Sequence, residues 1–414
     1  ASAELAAPLN AFHHNLAFPS GNFRAVVRPN FDTLYSSAWL DLADGPVELT
    51  IGDTKGRYYL LPVYDMWTDT FAVPGSETLP AGQRVRFAIT APGWHGTLPT
   101  GTRQIVSPTR YAWIIGRIQT NGPEDYSFVH SIQQQIALSP LGHVHAARTA
   151  LQRNPWPNRA EPAVDTRTTP VAIVNAMSAA EFFETALRLL ADNPPHIFDQ
   201  AQVARLELLG LKPGATFNRL PGEVQEALAQ AKDQGPSRLL RHALRSGQER
   251  GGWRLSTLSV GTYGTDYLQR AAVAMTGLGA NRPFDSIYPR TVRDSDGKPL
   301  TGTQHYRIHF EAGKLPPARA FWSLTAYTPD GYTEPNAVNR YAIGDRDSLV
   351  FNPDGSLDLL LQADAPDAAQ RANWLPVPPG AFNLSLRIYR PTTEAIEGDW
   401  TPPAVERTAP AAAR

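Results

Sequence analysis

The chain has 414 residues, enough for two domains with sizeable cores, and its 42% hydrophobic and 19% charged residues are those of a soluble globular protein. The 38 Lys and Arg balance 39 Asp and Glu, a formal net charge of -1, so no field of one sign draws the chain to nucleic acid or anionic lipid. It contains no cysteine, which excludes disulfides, thiolate metal sites and a cysteine nucleophile.

The opening ASAELAAP resembles the small-residue stretch left by a signal peptidase and predicts an exported protein, periplasmic or secreted. No apolar run approaches the length of a transmembrane segment. Residues 1–22 read as an N-terminal segment. From 23 to 164 short alternating runs, PVELTI, GRYYLLPVYDMW, QRVRFAIT and RYAWIIGRI, are separated by turn residues, and the 37 prolines and 31 glycines fit an all-β architecture. Residues 165–289 read as a helical linking region. MSAAEFFETALRLLADNPP has a capping box of Ser178 with Glu181, and Pro194 and Pro195 stop it. AQVARLELLGLKPG ends on Pro213 and Gly214. PSRLLRHALRSG predicts a helix beginning at Pro236, and TDYLQRAAVAMTGLG one capped by Thr265 or Asp266. Strands return over 290–414 with HYRIHFEAG, RAFWSLTAYTPDG, DLLLQAD and FNLSLRIYRP.

Long strings within these regions carry a resemblance. RPNFDTLYSSAWLDL, GRYYLLPVYDMWTDTFAVPG and YAWIIGRIQTNGPED resemble the bacterial domain of unknown function numbered twelve fifty-four. ARAFWSLTAYTPDGY, NRYAIGDRD, NPDGSLDLLLQAD, NWLPVPPGAFNLSLRIYRP and GDWTPP resemble its usual partner, numbered twelve fourteen. The resemblance implies a mainly β fold of two jelly-roll-type β-sandwich domains in tandem with a helical segment between them. It also implies export and a homo-oligomer, and it leaves the activity open, because such folds host capsids, lectins and enzymes alike.

The chemistry is read from the residues. Asp32 shares strand parity with Leu34, Ala38, Leu40 and Leu42, and Asp65 with Tyr59, Leu61, Val63 and Trp67, so each carboxylate points toward an apolar face. Buried carboxylates are costly unless paired or hydrogen-bonded. One reading makes Asp32 and Asp65 a general acid and a base or nucleophile with environments that push their pKa values apart. Tyr35 is then a catalytic proton donor, and Asn30, Trp67, Arg28 and Arg117 bind a saccharide or other small ligand. The other reading has Arg28, Arg57 or Arg117 pin the two carboxylates structurally. Both Asp32 and Tyr35 reach one site only if a bulge or turn separates them, since their parities differ.

Histidines give weaker patterns: His143 and His145 in HVH, His305 and His309 in HYRIHF, and adjacent His13 and His14. Three convergent ligands are not visible, so no metal and no cofactor is expected. GLGAN at 277–281 reads as a helix stop, and the alternation in AFWSLTAY as core. The composite expectation is an exported hydrolase or lyase acting on a saccharide-like or other neutral oxygen-rich substrate. The alternatives are a non-catalytic oligomeric envelope or carbohydrate-binding protein and a histidine-based metalloenzyme.

Overall fold

In a computed structural model, which describes residues 7–24, 27–141 and 168–408, the alternating runs of the first third form ten strands. These are β1 (His13–His14), β2 (Thr33–Asp41), β3 (Val47–Ile51), β4 (Tyr59–Leu60), β5 (Val63–Asp65), β6 (Thr70–Ala72), β7 (Val85–Thr90), β8 (Thr102–Val106), β9 (Tyr111–Gln119) and β10 (Ile136–Pro140). They build one sheet in the order β1-β2-β9-β5-β6, with β4 also on β9, and a second in the order β10-β3-β7-β8. Pro62 supplies no N–H and separates β4 from β5. In β2, Leu34, Ala38 and Leu40 are buried while Tyr35, Ser37 and Trp39 take the other face, which is the alternation expected of a strand covered on one side. Gly116 of β9 is required by packing: a Cβ there would lie 2.4 Å from Leu61 Cδ2 and 3.1 Å from the Ser36 carbonyl.

Helix α1 (Tyr126–Gln133) lies between β9 and β10, and α2 (Pro170–Ala176), α3 (Ala179–Asp192), α4 (Gln200–Leu208), α5 (Gly222–Arg245) and α6 (Tyr267–Gly277) follow the strands. The Ser178–Glu181 capping box starts α3, and Asp266, not Thr265, caps α6 through the Gln269 N–H. The helix expected from Pro236 is corrected: α5 begins fourteen residues earlier, at Gly222, and carries Pro236 inside it. The good helix formers of EVQEALAQAK outweigh the hydrogen bond that proline removes. Leu187, Leu211, Phe217, Leu220 and Leu228 form a small apolar core among these helices.

The last third supplies β11 (Gln248–Arg250), β12 (Trp253–Leu255), β13 (Ser286–Ile287), β14 (Arg290–Thr291), β15 (His305–Phe310), β16 (Ala318–Tyr327), β17 (Ala342–Gly344), β18 (Leu357–Gln362), β19 (Trp374–Pro376), β20 (Asn383–Pro391) and β21 (Val405–Thr408). One sheet runs β11-β12-β14-β20-β16-β17, with β13 also on β20, and the other runs β19-β18-β15-β21. A single core draws on both, from Trp322, Leu324, Leu386 and Ile388 on one side to Tyr306, Ile308, Leu359 and Leu361 on the other.

The chain divides into two compact units that interleave in sequence. The first comprises Ala1–Ala17, Thr33–Arg245 and Gly261–Ala280, and the second Phe18–Asp32, Ser246–Val260 and Asn281–Arg414. The helices α1–α6 therefore belong to the first unit, and the change of unit after Asp32 falls inside the stretch read above as one domain.

A pH effect arises at β1. His14 bonds Ser36 at 2.8 Å, and its imidazole is pushed down to about 4 by burial and then by His13. The unfolded chain takes up this proton near its ordinary value of 6.5, so stability is lost as pH falls from there toward 4. His14→Gln is expected to remove on the order of 2 kcal/mol of the difference in unfolding free energy between pH 7 and pH 5. Urea unfolding at the two pH values checks it; an unchanged difference contradicts it.

Candidate functional site

Three segments of the first unit bring titratable groups together. Asp65 ends β5, and the chain then turns tightly, with Thr68 in the left-handed region at φ 68°. Oδ1 of Asp65 accepts the N–H groups of Trp67 (2.9 Å) and Asp69 (3.0 Å), an Asx-type turn in which the carboxylate satisfies its own loop. The second segment follows α3. Pro194 and Pro195 prevent its continuation, and His196 then caps a short 3-10 turn whose Asp199 accepts the His196 N–H at 3.1 Å. The third is the start of α6, where Tyr267 and Arg270 lie one turn apart on one side.

His196 Nε2 meets Asp65 Oδ2 at 2.6 Å. Its Nδ1 has no hydrogen-bond partner and lies 3.5 Å from Asp199 Oδ2 and 3.8 Å from Asp69 Oδ2. Asp69 in turn accepts the Tyr263 N–H (2.6 Å) and an Arg270 N–H (2.8 Å), and Tyr267 donates to Asp199 at 2.9 Å. The bond to Asp65 holds the His196 pKa above its ordinary value against the opposing effect of burial, with the charges of Asp65 and Asp69 adding to it. Burial raises the Asp69 carboxyl, opposed by the Tyr263 N–H and by Arg270. The imidazole is half-buried, and Phe198 stacks on it with ring centroids 4.8 Å apart. Phe198 is 48% exposed and Ile197 84%, so apolar surface borders the polar group.

Atoms of Asp65, Asp69 and His196 lie within 4.8 Å of one another, close enough to share a cation. Two contacts favour proton chemistry instead. Asp65 already holds His196 directly, and Asp69 is neutralised by Arg270 at 2.8 Å.

Asp32 is placed differently. It belongs to the second unit and is fully buried. Its Oδ1 contacts Arg346 Nη2, and its carbonyl accepts Arg346 Nη1 at 3.1 Å. Oδ2 accepts the Ser323 hydroxyl at 2.7 Å. Asn30 accepts the Asp32 N–H (2.6 Å) and donates to Tyr389 (2.8 Å). These are the contacts of a pinned carboxylate. The expected partners are corrected: neither Arg28, Arg57 nor Arg117 holds Asp32 or Asp65. Arg57 pairs with Asp125, at 2.5 and 2.9 Å, and Arg117 donates to the Gly279 carbonyl at 2.8 Å and lies over the Tyr35 ring at 5.4 Å. Trp67 is half-buried, its indole N–H on the Pro194 carbonyl at 2.8 Å. The structure thus puts Asp65, Tyr35, Trp67 and Arg117 in the first unit and Arg28, Asn30 and Asp32 in the second.

His196, Asp69, Asp199 and Arg270 were not anticipated. The only sequence signal for His196 is its place after a double proline and three residues before an aspartate. Of the histidines singled out, His305 and His309 each face one carboxylate, Asp364 at 3.0 Å and Asp358 at 2.8 Å. His143 and His145 lie outside the described residues.

A profile of proteins of unknown function, DUF1254, matches residues 9–140, and one of DUF1214, also of unknown function, matches 285–393. The chain is a tandem DUF1254–DUF1214 protein. The crystal structure of the VPA0106 protein from Vibrio parahaemolyticus resembles it with a TM-score of 0.70 at 25% identity, covering 97% of this chain and 92% of that one. A putative uncharacterized protein from Burkholderia cenocepacia gives a TM-score of 0.46 at 11% identity over 96% of this chain and 80% of that one. No curated protein matches. Among the described residues no helix is long and apolar enough to cross a membrane.

Proposed function

We propose that this DUF1254–DUF1214 protein is an exported hydrolase or lyase that uses Asp65 and His196 as an acid–base pair on a neutral, oxygen-rich substrate such as a saccharide. The observation that carries the reading is the 2.6 Å Asp65–His196 bond, made by a carboxylate whose other oxygen is fixed by two backbone amides. A carboxylate held in this way orients the imidazole and stabilises its protonated form. His196 then exchanges a proton with a substrate hydroxyl or leaving-group oxygen. Phe198 and Trp67 offer ring faces for the apolar side of a sugar, and Phe198 must swing off His196 for substrate to reach Nδ1. In the same proposal each unit's pair of sheets is a jelly-roll-type sandwich, and the protein is a homo-oligomer.

A non-catalytic carbohydrate-binding protein is the second reading, favoured by the enclosure of His196 Nδ1. Incubation with a panel of neutral polysaccharides separates the two: new reducing ends report hydrolysis, and ultraviolet absorbance of an unsaturated product reports elimination. Asp65→Asn and His196→Gln are each expected to lower turnover by about 10²–10⁴-fold. Turnover equal to wild type in both variants overturns the acid–base reading, and binding without product replaces it by the second. Light scattering that gives the single-chain mass of 45.3 kDa at every concentration removes the oligomer.

A further inference from the structure

The larger sheet of the second unit presents guanidinium groups that no acid of that unit pairs with. Leu384, Leu386 and Ile388 of β20 enter the core, so Ser385, Arg387 and Tyr389 take the opposite face. Arg290 of β14 stands directly across from Ser385, which puts it on the face of Arg387. The Arg28 carbonyl accepts an Arg387 N–H at 3.1 Å, bringing a third arginine to the same place.

Arg387 is buried, and all its hydrogen-bond acceptors are neutral: Thr325 Oγ1 (2.7 Å), the Tyr327 hydroxyl (2.6 Å) and the carbonyls of Arg28 and Pro29 (3.1 and 3.3 Å). Asp32 attracts Arg387 through space but is already engaged by Arg346 and Ser323. Among the described residues no carboxylate lies within ion-pair distance of Arg28, Arg290 or Arg387. Arg28 Nε is buried without a hydrogen-bond partner, and the residue is held in the left-handed region at φ 55°, its N–H on the Gly331 carbonyl at 2.7 Å. Strain of this kind persists where the surroundings fix a side chain in place.

The electrostatics agree with the geometry at Arg28 and Arg290; at Arg387 the lowering by burial is outweighed by Tyr327 and Asp32, which hold it above its ordinary value. Arg290 is pushed down to about 10, by burial first and then by Arg28 and Arg387, and Arg28 is lowered by burial with Arg387 adding to it. Arg290 as a residue is nonetheless exposed to solvent.

We propose that Arg28, Arg290 and Arg387 form a binding site for a multivalent oxyanion, a phosphate or sulfate group of a ligand. Like charges gathered in a crowded place repel and lose hydration. An oxyanion offsets both effects, and the planar fork of arginine matches it with two parallel hydrogen bonds. The site lies wholly in the second unit and does not depend on the Asp65–His196 reading.

Inorganic phosphate is the probe, titrated into the full-length protein at low ionic strength with binding read by calorimetry and melting temperature. Phosphate should raise the melting temperature while chloride at matched ionic strength does not, and acetate should bind more weakly than phosphate. Arg290→Gln should weaken phosphate binding about tenfold or more and, without phosphate, melt no lower than wild type. Arg290→Lys should retain part of the affinity. If Arg290→Gln does not fold, Arg28→Gln carries the same comparison. Equal stabilisation by phosphate and chloride, or equal phosphate affinity in wild type and the folded glutamine variant, overturns the site. Acetate binding as tight as phosphate overturns the assignment to a multivalent oxyanion.

Discussion

Asp32→Asn should destabilise the protein by about 3–5 kcal/mol, the cost of removing one partner of a buried ion pair. Asp32 is fully buried, and Arg346, its partner, has a side chain only 16% exposed that also lies over the Phe321 ring at 4.4 Å. An amide at position 32 keeps the shape but removes the buried partner of the guanidinium, whose other carboxylate, Asp345, lies farther off at 3.7 Å and is itself one-third exposed. The carbonyl of Asp32, which also accepts from Arg346, is untouched by the substitution and does not offset the loss. Arg346→Met combined with Asp32→Asn should recover much of the stability, because removing both charges also removes their desolvation penalty. Urea unfolding of the two variants provides the check. A single variant within about 0.5 kcal/mol of wild type, the range of an ordinary surface substitution, would contradict the pinned-carboxylate account.

The second large effect is expected at His196. Its folded pKa is raised above the ordinary 6.5, chiefly by Asp65. The protonated imidazole therefore contributes stability that is fully present below 6.5 and is lost as pH rises through the folded value. Both His196→Gln and Asp65→Asn should flatten that part of the stability profile. Asp65→Asn carries a further cost, because Oδ1 also closes the turn by accepting two amides. His196→Gln leaves the turn intact, so it separates the proton chemistry from the loop. Unfolding measured at half-unit pH steps above 6.5 makes the comparison, and a wild-type profile that stays flat or rises in that window would contradict the assignment.

Much of this was legible in the chain. Strand parity placed Asp32 and Asp65 on buried faces, and both are buried. The Ser178–Glu181 box and the proline pair located α3 because capping and breaking are local chemistry. What parity could not supply was the partner. Arg346 lies 314 residues from Asp32, and His196 lies 131 residues from Asp65, and no local pattern encodes contacts at such separations. The interleaving of the units was hidden for the same reason: residues 18–32 belong with a sheet built from the far end of the chain. Pro236 misled by a general rule, since a proline usually marks a helix start, yet α5 runs through it.

The Asp65–His196 pair is the centre of the functional reading, and nuclear magnetic resonance titration of the His196 imidazole, in protein labelled at histidine, tests it without knowledge of the substrate. The account predicts that His196 titrates above 6.5 in wild type and clearly lower in a folded Asp65→Asn variant, where the amide no longer attracts the proton. A His196 that titrates at or below 6.5 in wild type, or at the same pH in both proteins, would contradict it.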